Sequence, residues 1–506
     1  MRRRSNRVAR RRGYRPPGDY DPRRGPKRAR PGGRASEQRE AEGGSSRPAG
    51  PAPAPVPAQP PLRTPPAPLD AVLTRAEDVA GASFAELGVG GNIVRALAEL
   101  GATKPLPIQV ATIPDALAGH HVLGRGRTGS GKTIAFGAAL VERLLRLRAE
   151  GAFPDESARE KPRRGERRER SERGGGRAPR ALILAPTREL ALQIDRTVQP
   201  IARSVGLYTG QFVGGQPLEP QLHALRRGVD IAIGTPGRVE DLAGRGHLDL
   251  GRIAVTVLDE ADHMAELGFV ESVRRILRRT RRGGQRLLFS ATLDRGVDEL
   301  VREFLPSPAI HEVVEGSRTV GPEGRSDAAG GVEHRVLIVL REHKDDALVR
   351  LVGDGGVADG AGRDGRRAGP VRTIVFCRTR AYAEHVVELL AGAGLRAVAL
   401  HGDLSQPRRE RNLESFAAGR ARVLVATDVA ARGIHVDGVE LVLQADPPDD
   451  PKAYLHRAGR TGRVGGDGEV RGGTVLTVIP RTRQKRTREL FAELGIEPAS
   501  FADFAP

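Results

Sequence analysis

The chain contains no tryptophan, and only 12 phenylalanines and 5 tyrosines among 506 residues. That scarcity excludes a binding surface built mainly from aromatic stacking platforms. There is one cysteine, Cys377, so no internal disulfide can form. It closes the apolar run Thr373-Ile374-Val375-Phe376-Cys377, which reads as a buried strand with the thiol as a small core residue, in a reducing compartment. No apolar run is long enough to span a bilayer, and the basic N-terminus lacks the apolar stretch of a secretory signal. The expectation is a soluble, cytoplasmic protein without membrane contact, monomeric, with protein partners unspecified. What is abundant is positive charge: 82 Lys and Arg against 63 Asp and Glu, a formal net charge of +19 and a pI near 11.0. Such a balance points to a polyanionic partner.

Residues 1–75 are rich in Arg, Pro, Gly and Ala, carry more than half of the net charge and hold almost no large apolar residues. They cannot bury a core and are expected to be a disordered tail, with order beginning near Phe84. From 181 to 304 strands and helices alternate, with strands expected at 181–185, 207–213, 230–234, 255–258 and 286–290. A polar linker at 315–331 precedes a second alternating unit, with strands expected near 336–340, 373–377, 397–400, 423–426, 441–445 and 474–478. Alternation of this kind argues for α/β architecture with parallel sheets covered on both faces. The domains are therefore expected at 76–314 and 332–480. Low-complexity loops fall at 150–180 and 353–369, and a short extension at 481–506 holds one helix around 485–494.

The run Gly126-Arg127-Thr128-Gly129-Ser130-Gly131-Lys132-Thr133 fits G-x-x-x-x-G-K-[ST]. Its glycines let backbone N–H groups close on phosphates, its lysine reaches the outer phosphates, and its threonine hydroxyl is a Mg²⁺ ligand. It follows the short apolar stretch Val122-Leu123 and precedes a helix-period pattern with Ile134, Ala138, Val141, Leu144 and Leu145 on one face. Farther on, an apolar run at 255–258 ends in Asp259-Glu260-Ala261-Asp262, the acidic pair expected where an NTPase handles Mg²⁺ and water.

Further strings follow in order: Pro186-Thr187-Arg188-Glu189-Leu190, Gly214-Gly215, Thr235-Pro236-Gly237-Arg238 and Ser290-Ala291-Thr292. Then come His401-Gly402 with Gln406 and Arg409, Ala426-Thr427-Asp428 through Ala431-Arg432-Gly433, and His456-Arg457-Ala458-Gly459-Arg460-Thr461-Gly462-Arg463. With them the chain, from about Phe84 to Arg463, resembles the DEAD-box ATP-dependent RNA helicases of superfamily 2, bacterial type. The resemblance implies two tandem RecA-like domains and an RNA-stimulated ATPase using ATP and Mg²⁺. It implies an ATP site of Phe84, Gln109, Thr128, Gly129, Ser130, Gly131, Lys132, Thr133, Gly433 and His435, with Thr133 and Asp259 toward the metal and Glu260 orienting the attacking water. By the same resemblance Arg460 and Arg463 act as arginine fingers, and Asp262, Ser290 and Thr292 relay between the ATP and RNA sides. RNA contacts are implied for Arg188, Gly215, Thr235 and Arg238, and for Gly402, Gln406, Arg409 and Thr427. Such contacts are mostly to phosphate and sugar, so binding is expected to tolerate any sequence.

Three positions depart from the pattern. The family's adenine-stacking aromatic is Ala102, its hydroxyl residue before the conserved glutamine is Leu106, and the ribose-binding acid is His435. All three touch the nucleoside end, which implies intact hydrolysis with weakened discrimination of base and sugar. Other readings remain: an RNA clamp or scaffold, a DNA helicase, and an inactive ATPase acting through its tail.

Overall fold

Strand residues alternate between two faces, and where both faces are buried, as at 181–184 and 423–426, the strand is apolar throughout. The computed structural model describes residues 71–75, 79, 81–126, 129–153, 177–314, 332–355, 371–431, 438–462 and 472–504. The expectations for the tail before 71, for 154–176, for the linker 315–331 and for 356–370 lie outside these residues.

The first sheet has eight strands: β1 (Val72–Arg75), β2 (Val122–Arg125), β3 (Ala181–Leu184), β4 (Thr209–Phe212), β5 (Ile231–Gly234), β6 (Val255–Asp259), β7 (Gln285–Ser290) and β8 (Ala309–Val314). Their order is β1-β8-β2-β7-β6-β3-β5-β4, and every pairing is parallel. In β3, Ala181 and Ile183 enter one core cluster while Leu182 and Leu184 enter the cluster on the opposite face. The second sheet, also parallel throughout, has seven strands: β9 (Val332–Ile338), β10 (Thr373–Phe376), β11 (Ala397–Leu400), β12 (Val423–Ala426), β13 (Leu441–Gln444), β14 (Gly473–Ile479) and β15 (Ser500–Asp503). Their order is β11-β12-β10-β13-β14-β9-β15. Ile374 and Phe376 face one cluster, Val375 and Cys377 the other. Cys377 is fully buried, and burial pushes its thiol pKa up to about 12, as befits a core residue.

Four expectations are corrected. Val72–Arg75, assigned to the structureless tail, is a strand, because β8 offers it a parallel edge from the far end of the domain. The extension after 480 is part of the second domain: a helix spans Gln484–Leu494, and β15 then pairs with β9. The expected strand at 207–213 is shorter, Thr209–Phe212. The helix after the phosphate loop, Lys132–Ala149, is buried around most of its circumference, including Phe136, Ala139 and Leu140, rather than along one stripe. It is wedged between the sheet and neighbouring helices, and at Gly137 a Cβ would lie 3.1 Å from Val198 Cγ2, so that backbone approach depends on glycine.

Candidate nucleotide and nucleic-acid site

Sheet order divides the functional segments into two groups. Strands β2, β7 and β6 are adjacent, and their C-terminal ends carry the phosphate loop, Ser290 and the acidic pair. Strands β3, β5 and β4 are adjacent beyond them, and their ends lead to Arg188, Thr235 with Arg238, and Gly215. In an open parallel sheet ligands bind at these carboxyl ends. One sheet therefore presents a phosphate-handling half and a basic half side by side. In the second sheet the adjacent strands β11 and β12 lead to Gly402 and Thr427.

The phosphate loop turns through Gly129 and Gly131, whose φ angles of +92° and +89° favour glycine. Lys132 is 5% exposed and donates to the Gly126 carbonyl at 2.7 Å, holding its ammonium across the loop mouth. Ser130 Oγ is buried without a hydrogen-bond partner among the described residues, an orphan donor suited to a phosphate oxygen. Thr133 is half-buried in the first helical turn. Thr128 lies outside the described residues. Gln109, 1% exposed, braces the loop: its Oε1 accepts from Leu106 N at 2.8 Å and its Nε2 donates to Gly131 O at 3.1 Å. One acceptor lone pair and one N–H of that amide are left for a base. Phe84 is 2% exposed within the core cluster, a packing position beneath this segment, and Ala102 is half-buried against the same cluster.

Asp259 is the last residue of β6 and 2% exposed. Burial pushes its carboxyl pKa up to about 7, opposed by the Lys132 charge and reinforced by Glu260. A divalent cation would reverse that penalty. The oxygen donors here, the Asp259 carboxylate and the Thr133 hydroxyl, match the hard ligands Mg²⁺ takes. Glu260 has φ +50° and ψ +54°, a left-handed conformation rare outside glycine, and its carboxylate Oε2 lies 3.3 Å from His263 Nδ1. Asp262 joins β6 to β7. Its Oδ2 accepts from Ala291 N (3.2 Å), Thr292 N (3.0 Å) and Thr292 Oγ1 (3.0 Å), while its own N–H donates to Ser290 Oγ (3.2 Å). Ser290 in turn donates to the Thr292 carbonyl at 2.8 Å. The three expected relay residues form one network.

On the basic side, Arg188 Nη1 donates to Gly215 O at 3.3 Å, and Thr235 Oγ1 accepts from Gly214 N at 3.2 Å. Arg238 Nη2 donates to Gln216 O at 3.1 Å, and its Nη1 is buried without a hydrogen-bond partner among the described residues. The second domain meets this surface directly. Arg409 Nε and Gln406 Nε2 reach Glu189 Oε1 at 3.1 and 3.3 Å, and Glu410 Oε1 accepts from Arg188 Nη2 at 3.1 Å. Gly402 lies 3.4 Å, measured from an added Cβ, from the Arg380 guanidinium, and Thr427 is 8% exposed. Sequence reasoning missed Glu189 and Glu410. Their neighbours Arg188 and Arg409 were the only signal.

Arg460 is 6% exposed and donates to His456 O at 3.2 Å, folded onto the end of its own helix, Pro451–Ala458. Arg457, which sequence reasoning left without a role, is 3% exposed. It clasps both Asp428 oxygens, at 2.5 and 2.6 Å, bonds the Asp446 carbonyl at 2.6 Å and lies 5.1 Å over Phe376. Gly433, His435 and Arg463 lie outside the described residues.

Residues 106–300 match the DEAD/DEAH box helicase family, and residues 357–465 match the helicase conserved C-terminal domain. The chain is 37% identical over 387 residues to an ATP-dependent RNA helicase RhlB of Shigella dysenteriae, covering 76% of this chain and 82% of that one. It is 36% identical over 392 residues to the mitochondrial DEAD-box ATP-dependent RNA helicase 9 of Arabidopsis thaliana, covering 77% of this chain and 57% of that one. The chain thus spans little more than half the length of that plant relative. Among solved structures, S. cerevisiae Dbp5 bound to RNA and ADP BeF3 matches with a TM-score of 0.63 and 25% identity, over 83% of this chain and 95% of that one. Mss116p bound to ssRNA and AMP-PNP matches with a TM-score of 0.64 and 25% identity, over 84% and 79%. The chain belongs to the DEAD-box ATP-dependent RNA helicase family. Its fold is the pair of RecA-like domains those structures share.

Proposed function

We propose that this protein is an RNA-stimulated ATPase that couples hydrolysis to RNA binding and to local separation of RNA duplexes or remodelling of RNA–protein complexes. The observation that carries the reading is the sheet order, which sets the phosphate half beside the basic half, with the Asp262–Ser290–Thr292 network on the phosphate side. The names of its relatives, and the RNA and nucleotide bound by its structural neighbours, point the same way.

In this reading the loop N–H groups, Ser130 and Lys132 hold the nucleotide phosphates, and Thr133 and Asp259 hold Mg²⁺, which neutralises charge on the transferring phosphate. Glu260 orients the water. Arg460 unfolds from its helix end and, with Arg463, supplies positive charge from the second domain. Arg188, Gly215, Thr235 and Arg238 bind the RNA backbone together with Gly402, Gln406, Arg409 and Thr427. ATP and RNA each favour the same arrangement of the two domains, so each tightens the other. The lone buried thiol fits a reducing cytoplasm, and no described helix is long and apolar enough to cross a membrane. The deciding experiment is ATPase rate against a panel of RNAs and matched DNAs, with duplex separation followed in parallel. Equal stimulation by RNA and DNA, or none by either, would overturn the reading.

Two further results are expected. Removing residues 1–70, which spares β1, is expected to weaken RNA affinity and flatten its dependence on salt, leaving ATPase at saturating RNA near the parent value. The tail supplies screened charge, not catalytic groups. An unchanged slope of log affinity against log salt would make the tail a spectator.

Ala102→Phe is expected to tighten ATP binding and raise preference for ATP over GTP. Stacking a base on an aromatic ring is worth about 1–3 kcal/mol, roughly five- to a hundredfold in affinity. Michaelis constants for both nucleotides, in the parent and the variant, test this. Unchanged or weaker ATP affinity in a folded variant would mean that the adenine is held another way.

A further inference from the structure

Lys452 is the second residue of the helix Pro451–Ala458, which ends just before Arg460. Its ammonium lies 2.8 Å from Glu266 Oε1 and 3.1 Å from Asp294 Oδ2. Both carboxylates belong to the first domain, and each sits at the edge of the hydrogen-bonded network described above. Glu266 closes the short helix Ala261–Glu266 that contains Asp262. Asp294 follows Thr292 by two residues, and its other oxygen, Oδ1, caps the helix Arg295–Phe304 by accepting from Val297 N at 3.0 Å. The three side chains are 27%, 21% and 30% exposed, a partly shielded cluster of one cation and two anions.

Asp262 and Thr292 are bonded to each other directly, so their two segments move as one body. Lys452 then grips that body at both ends from the second domain. Its partners are different residues from those of the Glu189–Arg409 and Arg188–Glu410 contacts, which involve residues assigned to RNA. Among the described residues, the hydrogen bonds and ion pairs of Lys452 all go to the first domain, and the proposed reaction gives it no contact with nucleotide or RNA.

We propose that Lys452 is a positioning residue: it docks the arginine-bearing helix of the second domain onto the Asp262–Ser290–Thr292 network, so that assembly of that network and delivery of Arg460 to the nucleotide occur together. The proposal rests on the reading of Arg460 as a finger. An ordinary surface ion pair contributes little, and its loss leaves the coupling between two ligands unchanged. A docking pair that couples two domains is felt in the mutual tightening of ATP and RNA, a linkage typically worth about five- to 150-fold.

The test compares the full-length parent, Lys452→Glu, Lys452→Met and the double variant Lys452→Glu with Glu266→Lys. The last re-forms the pair between positions 452 and 266 with its charges exchanged across the domains, while Asp294 stays an anion beside position 452. Readouts are kcat at saturating RNA, RNA affinity with and without a non-hydrolysable ATP analogue, nucleotide affinity without RNA, and thermal unfolding. Both single variants are expected to lose about tenfold in RNA-stimulated kcat and most of the ATP-dependent gain in RNA affinity. Nucleotide affinity without RNA and thermal stability are expected to stay near the parent values. The double variant is expected to recover coupling to within about threefold of the parent. Single variants that keep coupling and kcat within about twofold of the parent would overturn the proposal. A loss that the double variant fails to restore, in proteins of equal stability, would overturn it as well. A parent protein without RNA stimulation would instead sink the functional reading, and the same assay reports that before any variant is compared.

Discussion

Lys132→Ala is expected to abolish RNA-stimulated ATP turnover. The ammonium is buried in the loop mouth and bonded to the Gly126 carbonyl, so it is already oriented where the outer phosphates of a nucleotide would lie. Losing a charge-assisted contact in such a setting costs about 1.5–3 kcal/mol, roughly ten- to 150-fold in affinity. A second loss follows from the electrostatics. The Lys132 charge is the main influence opposing the raised pKa of Asp259. Without it the carboxyl is protonated at still higher pH, and a proton there competes with the metal. The two losses fall on the same reaction, which is why turnover and not merely affinity is expected to vanish. RNA binding without nucleotide is expected to persist, because the basic half of the sheet edge is formed by other strands. Steady-state ATPase with saturating RNA is the measurement, and full activity would remove the phosphate loop from the mechanism.

Glu260→Gln is expected to slow hydrolysis by about a hundredfold or more, the usual range for removing a positioned base, while ATP and RNA still bind. The strained backbone at Glu260 and the His263 contact fix where this side chain ends. An amide of the same shape keeps that placement but loses the charge that orients a water. The consequence is a long-lived complex of protein, ATP and RNA, visible as slow release of labelled RNA and as a depressed single-turnover rate. Hydrolysis within a few-fold of the parent would move the role to another residue.

How much of this was legible depends on how local each feature is. The strands β3, β5, β6, β7, β10, β11, β12, β13 and β14 are dense apolar runs bounded by turn residues, and they fell within a residue or two of where they were expected. The segments β1 and β15 are only four residues each, and Val72 and Leu73 remain 62% and 57% exposed. Nothing in their own composition marks a strand; each is one because a distant strand offers its edge. The phosphate loop and the acidic pair stand out in the sequence because their chemistry demands particular residue types at fixed spacing; Asp262, Ser290 and Thr292 were suggested only by the family resemblance, and the structure joins them in one network. Lys452, Glu266, Asp294 and Glu410 are ordinary surface letters in the sequence, and no spacing rule singles them out.

The amino-acid sequence by itself determined the α/β class, the presence of two tandem α/β units, the motif runs of the phosphate loop and the acidic pair, and the basic character that calls for a polyanion. These follow from periodicity, composition and short-range motif geometry, all of which act over a few residues. Only the tertiary structure decided the order β2-β7-β6 beside β3-β5-β4, which places the phosphate group of segments next to the basic group. It alone turned Gln109 into a brace on Gly131, joined Asp262 to Thr292, and brought Lys452 to two carboxylates of the other domain. The reason is that each of these depends on residues far apart in the chain, and their proximity is set by which strands pair and which helices they leave facing each other.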